Sequence, residues 1–228
     1  MNAANPGPRY LDLDSWHRRS AYDFFRAFDI PTFNLCARLD VALLRQAVKD
    51  LGVGSLSLAY HFIAIRLANE IEPFRYRLEG EHVRVHDTVH GSTTVLREDN
   101  SFGFATLEHN PDFAAFCAQG TQALANGRRL DAAFEPNKNA GATVHMTTLP
   151  WVHFSSYSNA RQGSPNDAIP KIAFGRIDTD GERQWMPLSV EVHHALMDGV
   201  HIGQFFEGFE AALQAPQEWL RAGDLDAI

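Results

Sequence analysis

The chain has 228 residues, 45% of them hydrophobic and 21% charged, with 20 Lys and Arg against 28 Asp and Glu. This balance excludes a disordered polypeptide, and the length suffices for a core without staples. The net charge of −8 argues against nucleic acid or an anionic membrane surface as the main partner. Cys36 and Cys117 form no CxxC, so a disulfide framework and a zinc ribbon are not expected. No apolar run approaches the ~18 residues of a membrane-spanning helix, and the polar, proline-containing start does not resemble a signal peptide. One domain over residues 1–228, in a reducing cytoplasm, is the expectation.

In chain order, Asp14 or Ser15 is placed to cap a helix carrying Trp16, Tyr22, Phe24 and Phe25. Residues 40–51 set Leu43, Leu44, Ala47, Val48 and Leu51 at helical spacing, with Asp40 as cap and Gly52 as stop. A third helix is predicted over about 55–70. Short β-branched or alternating stretches follow at 74–78, 82–89 and 92–96, with a turn at Glu79-Gly80-Glu81. A helix capped by Asn110 is predicted over 111–125, then a loop over 126–141 and a strand over 142–148. Residues 171–178 and 185–194 read as two strands, and 200–213 as an amphipathic helix. This order suggests mixed α/β layers.

The stretch that carries chemistry is Pro187-Leu-Ser-Val-Glu-Val-His-His-Ala-Leu-Met-Asp-Gly-Val-His201. Leu188, Val190, Val192 and His194 share one face of a strand, and Ser189, Glu191 and His193 share the other. A histidine at the end of a rigid strand suits a general base, because an unperturbed imidazole titrates near pH 6.5. Asp198, beyond the turn, is placed to brace it by pairing with a distant cation. Two other readings stand beside this one: a structural histidine pair, and a metal site built from His193, His194, Asp198 and His201. Adjacent strand histidines point to opposite faces, which disfavours the metal.

The string His193-His194-Ala-Leu-Met-Asp198-Gly199 resembles the HHxxxDG signature of the chloramphenicol acetyltransferase family (type A). Dihydrolipoyl acyltransferases and peptide-synthetase condensation domains share that signature. Three further segments favour the first family: Trp16-His-Arg18-Arg19 followed by Asp23-Phe24-Phe25-Arg26, Thr148-Leu-Pro-Trp151-Val-His-Phe154, and Pro187-Leu-Ser-Val190. The likeness runs from about residue 10 to 215. It implies an α+β two-layer sandwich, with a mixed sheet flanked by helices.

The resemblance also implies direct acetyl transfer from acetyl-CoA, as co-substrate, to a hydroxyl of chloramphenicol, with no metal. His194 would be the base, Asp198 would pair with Arg18, and Thr147 would hold the oxyanion where the family has serine. The implied acceptor pocket comprises Phe24, Phe25, Phe33, Phe102, Phe134, His145 and Tyr157, with Thr94 as a polar contact. Phe25 and His145 depart from the family's usual tyrosine and asparagine, and Thr147 from its serine, which motivates a different hydroxyl or amine acceptor; a non-catalytic ligand-binding relative on the same scaffold is the other alternative. Arg176 would lie near the adenosine end of coenzyme A, and Gly54 stands where some relatives have lysine. The family implies a homotrimer with active sites between subunits.

Overall fold

The computed structural model describes residues 7–134, 140–161 and 166–221. Among these residues, helices α1 (Arg19–Arg26), α2 (Ala42–Leu51), α3 (Leu56–Glu70), α4 (Phe113–Arg128), α5 (Gly199–Gln214) and α6 (Pro216–Trp219) accompany ten strands. A seven-stranded sheet has the order β2 (Thr32–Asp40), β10 (Arg183–His193), β8 (Lys171–Gly175), β7 (Thr143–Leu149), β5 (His90–Leu96), β6 (Phe102–Leu107), with β9 (Asp178–Asp180) paired to β10. The sheet is mixed: β5–β7 and β7–β8 run parallel and the other pairs antiparallel. A small second sheet joins β1 (Arg9–Tyr10), β4 (His82–Val85) and β3 (Tyr76–Glu79). Among the described residues no single helix is long and apolar enough to cross a membrane.

Alternation along the strands builds the two layers. Val144, Met146, Ile172, Phe174, Leu188, Val190 and Val192 belong to one core cluster with the buried faces of α2, α3 and α5. The alternate residues His145, Thr147, Lys171, Ala173, Ser189 and Glu191, in register with one another across β7, β8 and β10, face the other way. That second, polar face carries the cavities described below.

The helix boundaries show which local signals win. Ser55 caps α3, its hydroxyl accepting from Leu58 N–H at 3.2 Å, and Gly52 ends α2 in the left-handed conformation. Asp40 bonds Ala42 N–H (3.1 Å), yet Val41 is the capping position of α2. The first helix begins only after Arg18, so Trp16 precedes it; its ring instead meets Tyr22 and Tyr76 edge-on. Asp112, not Asn110, caps α4, with its carboxylate accepting from Ala115 N–H at 2.7 Å. Asn110 accepts from Asp112 N–H (2.9 Å) and so shapes the approach. The helix also runs to Arg128, three residues beyond its predicted end; positions 135–139 of the predicted loop lie outside the described residues. The predicted strand 171–178 divides into β8 and β9.

Strand β6 was not expected. Its Gly103 is required by packing: a Cβ there would lie 2.2 Å from the Gly127 carbonyl of α4. The helix thus seats directly on the strand backbone.

His61, on α3, is buried among Tyr60 and Phe174, and its Nδ1–H donates to Ser57 O at 2.7 Å. Burial pushes its pKa down to about 4. An unfolded histidine titrates near 6.5, so the unfolded chain takes up this proton first as pH falls. Stability is therefore expected to decline between about pH 6.5 and 4, with His61 contributing up to about 3 kcal/mol. Urea midpoints measured across that range check this, and His61→Leu should flatten the slope.

Candidate active site

His194 sits one residue past β10, in the turn that leads into α5. Its N–H donates to Pro31 O (2.7 Å), prolonging the β2 pairing. Ala195, Leu196 and Met197 are fully buried and anchor the turn. The imidazole stacks on Phe25, with centroids 3.7 Å apart and planes at 8°, and tilts against Phe33 at 4.4 Å. Its Nδ1 lies 3.1 Å from Met197 O. A carbonyl only accepts, so Nδ1 carries the proton and the Nε2 lone pair remains available as a base.

Arg18 secures this turn from the other end of the chain. Its Nε donates to Asp198 Oδ2 at 3.1 Å, and its two terminal nitrogens to the carbonyls of Ala195 (3.4 Å) and His194 (3.3 Å). Arg18 is 7% exposed, and its guanidinium also lies over the Trp16 ring. Asp198 in turn caps α5, accepting from Val200 N–H at 3.2 Å. Burial opposes ionisation of Asp198, but Arg18 and His201 outweigh it and hold the carboxyl below its usual range.

The metal reading finds other work for its nitrogens. His201 Nδ1 accepts from Asp198 N–H (3.0 Å) and His193 Nδ1 from Ala195 N–H (3.2 Å). Among the described residues no group of three or more His, Cys, Asp or Glu is placed to hold a metal ion.

The remaining expected residues gather on the open face of the sheet. A cavity of about 480 Å³ is lined by Thr94, Phe102, His145, Thr147 and Tyr157, all anticipated from the sequence, and by Ser92, Phe104, Asn159 and Lys171, which were not. Phe134 closes an aromatic cluster with Phe102 and Phe104 at 5.2 and 5.1 Å. The hydroxyls of Thr94 and Thr147 are 3.0 Å apart. A second cavity, of about 330 Å³, shares Thr94, Phe102 and Thr147 and extends along Leu96, Leu149 and Trp151. The threonine pair thus stands where two cavities meet.

Within one chain these two groups do not touch. Thr147 is level with Ala173 and Ser189 in the ladder, two strands and five residues from His194. Standard strand spacings make that separation on the order of 20 Å. Phe24, 61% exposed, Phe25 and Phe33 lie on the His194 side, not in the cavity.

Arg176 is exposed at the rim of the second cavity, donating to Trp151 O (3.1 Å), but its charge is matched by Asp178 at 2.8 and 3.3 Å. Gly54 has φ +74°, and a Cβ there would lie 2.4 Å from Cys117 Sγ. A lysine at this position would be strained, so neither position offers an unpaired cation to a phosphate.

Comparison with known proteins agrees with this architecture. A family model described as chloramphenicol acetyltransferase matches residues 9–210. Chloramphenicol acetyltransferase 2 of Escherichia coli is 28% identical over 197 residues, 86% of this chain and 92% of its own. The Streptomyces acrimycini chloramphenicol acetyltransferase is 28% identical over 222 residues, covering 96% and 100%. Among solved structures, a chloramphenicol acetyltransferase superposes with TM-score 0.81 at 23% identity, covering 90% and 99% of the two chains. An Azotobacter vinelandii dihydrolipoamide acetyltransferase superposes with TM-score 0.64 at 16% identity, covering 96% and 94%. The match over residues 9–210, on a sheet that ends in the His193-His194 turn, shows that this chain belongs to the chloramphenicol acetyltransferase family.

Proposed function

We propose that this protein transfers the acetyl group of acetyl-CoA to a hydroxyl of chloramphenicol or a similar small aromatic acceptor, in the cytoplasm. The observation that carries the reading is the tautomer of His194: Nδ1 is committed to Met197 O, so Nε2 is left as a proton acceptor. Nε2 takes the proton of the acceptor hydroxyl as its oxygen attacks the thioester carbon. The carbonyl oxygen becomes an oxyanion, which accepts a hydrogen bond from Thr147. Collapse breaks the C–S bond, and the proton on Nε2 passes to the departing thiolate. No acetyl-enzyme is formed. Two cavities meeting at Thr147 suit an acceptor and a pantetheine arm approaching from different directions.

The distance of about 20 Å between His194 and Thr147 in one chain supports a site shared between copies, His194 of one facing the cavity of the next. The homotrimer implied by the family resemblance is the assembly we propose. Mixing His194→Ala and Thr147→Val proteins under conditions that exchange subunits should then give activity well above that of either variant alone.

The direct test is chloramphenicol-dependent release of thiol from acetyl-CoA by the purified protein. No release would reject chloramphenicol as the acceptor. Thr147→Val is expected to lower kcat about 10²-fold, the scale of losing one oxyanion donor, while KM for acetyl-CoA changes little. One feature favours a different acceptor within the same chemistry: the cavity wall holds Lys171 and His145 beside its aromatic residues.

A further inference from the structure

Across the open face, Ser92, His145, Lys171 and Glu191 are cross-strand neighbours in register on β5, β7, β8 and β10. Lys171 and Glu191 are 7% and 6% exposed. Charges so buried are retained only with partners. Lys171 Nζ lies 2.6 Å from Asp167 Oδ2; Arg161 reaches Asp167 (3.6 Å) and bonds Glu191; Asn159 donates to Glu191 at 3.2 Å. Behind this wall, buried Arg77 donates to the carbonyls of Phe74 (2.9 Å), Tyr76 (2.6 Å) and Thr143 (2.6 Å). No carboxylate is among those hydrogen-bond partners. Thr143 stands two positions from His145 on β7.

The charges in this cluster do not cancel. Among the described residues it holds three cations, Arg77, Arg161 and Lys171, against two carboxylates, Asp167 and Glu191. Burial lowers the pKa of Arg77 to about 9, which leaves it charged at neutral pH. His145, kept neutral by burial and by Lys171, adds no compensating charge. Lys171, His145 and Asn159 are the members that line the cavity. An ammonium has three donors, and the hydrogen bond to Asp167 uses one.

Resting on the acyl-transfer reading above, we propose that this wall is an anion subsite and that the preferred acceptor is a small hydroxylated aromatic acid whose carboxylate docks on Lys171. Phe102 and Phe104 supply the surface for the ring. The spacing is set by the ladder: Lys171 is one strand and two residues from Thr147, on the order of 8 Å. An acceptor of the size of 4-(hydroxymethyl)benzoate spans that distance from hydroxyl to carboxylate.

The test compares 4-(hydroxymethyl)benzoate with 4-methylbenzyl alcohol, which has the same shape without the charge, in thiol release from acetyl-CoA. The acid should be preferred about 10- to 100-fold in kcat/KM, the scale of a hydrogen bond to a charged group. Lys171→Met should bring that ratio close to one, and Lys171→Arg should keep most of it. Calorimetry of 4-methylbenzoate binding to the wild type reads the subsite without any chemistry. Binding that Lys171→Met abolishes, with neither alcohol acetylated, would uphold the subsite and reject acyl transfer. Equal kcat/KM for both alcohols in the wild type would overturn the proposal, as would a ratio unmoved in Lys171→Met. Absence of both turnover and 4-methylbenzoate binding would overturn it too.

Discussion

His194→Ala is expected to slow thiol release from acetyl-CoA by about 10³- to 10⁴-fold, toward the upper range for a positioned general base. An alcohol is a poor nucleophile at neutral pH, and the fixed Nε2 lone pair is what removes its proton in this mechanism. A 10⁴-fold loss corresponds to about 5.5 kcal/mol of barrier. The ring is only half-buried, and its backbone N–H bond to Pro31 O survives the substitution. The variant should therefore fold, with a melting temperature close to that of the wild type. Steady-state kinetics beside a thermal melt separate the two effects. Turnover within a few-fold of the wild type would remove His194 from the chemistry and favour a binding protein on the same scaffold.

Asp198→Ala is expected to be the most destabilising single change at the site, by about 3 kcal/mol, the low end for stranding one partner of a buried ion pair. The low end applies because Asp198 itself is 37% exposed and water already covers part of it. Arg18 is the partner that suffers, left at 7% exposure with only carbonyls to bond. Loss of the α5 cap adds to the cost. At 2–4 °C per kcal/mol for a chain of this size, the melting temperature should drop by about 6–12 °C. Asp198→Asn keeps the acceptor oxygen and the cap and should lose about half as much. The pH dependence has a definite sign. The folded pKa of Asp198 lies below its unfolded value, so its contribution is complete above about pH 4 and fades as pH falls through the folded pKa. The gap between wild type and Asp198→Ala should close in strong acid.

The parts of this fold that were readable in the sequence are those set by local pattern. Helices α2, α3 and α5 announce themselves by apolar spacing, and the His-His turn by alternation that stops at Asp198-Gly199. Arg18 and Thr147 were legible only through resemblance, since one is a helix-like arginine and the other a β-branched strand residue by pattern alone. Strand β6 was hidden because its glycine reads as a breaker; the reason for it, the carbonyl of Gly127, lies 24 positions away. Lys171 and Glu191 were missed for a related reason. A charged residue in a strand reads as solvent-facing, and only the partners Asp167 and Arg161 make its burial affordable. Even Phe104, two residues from Phe102 and on the same face, shows its role only once β6 exists as a strand.

The bond from Arg18 to Asp198 joins positions 180 apart. A chain emerging from the ribosome has made the arginine long before its carboxylate partner exists. The brace on the histidine turn therefore closes only after both of these residues have been made, later than the local contacts within the helices.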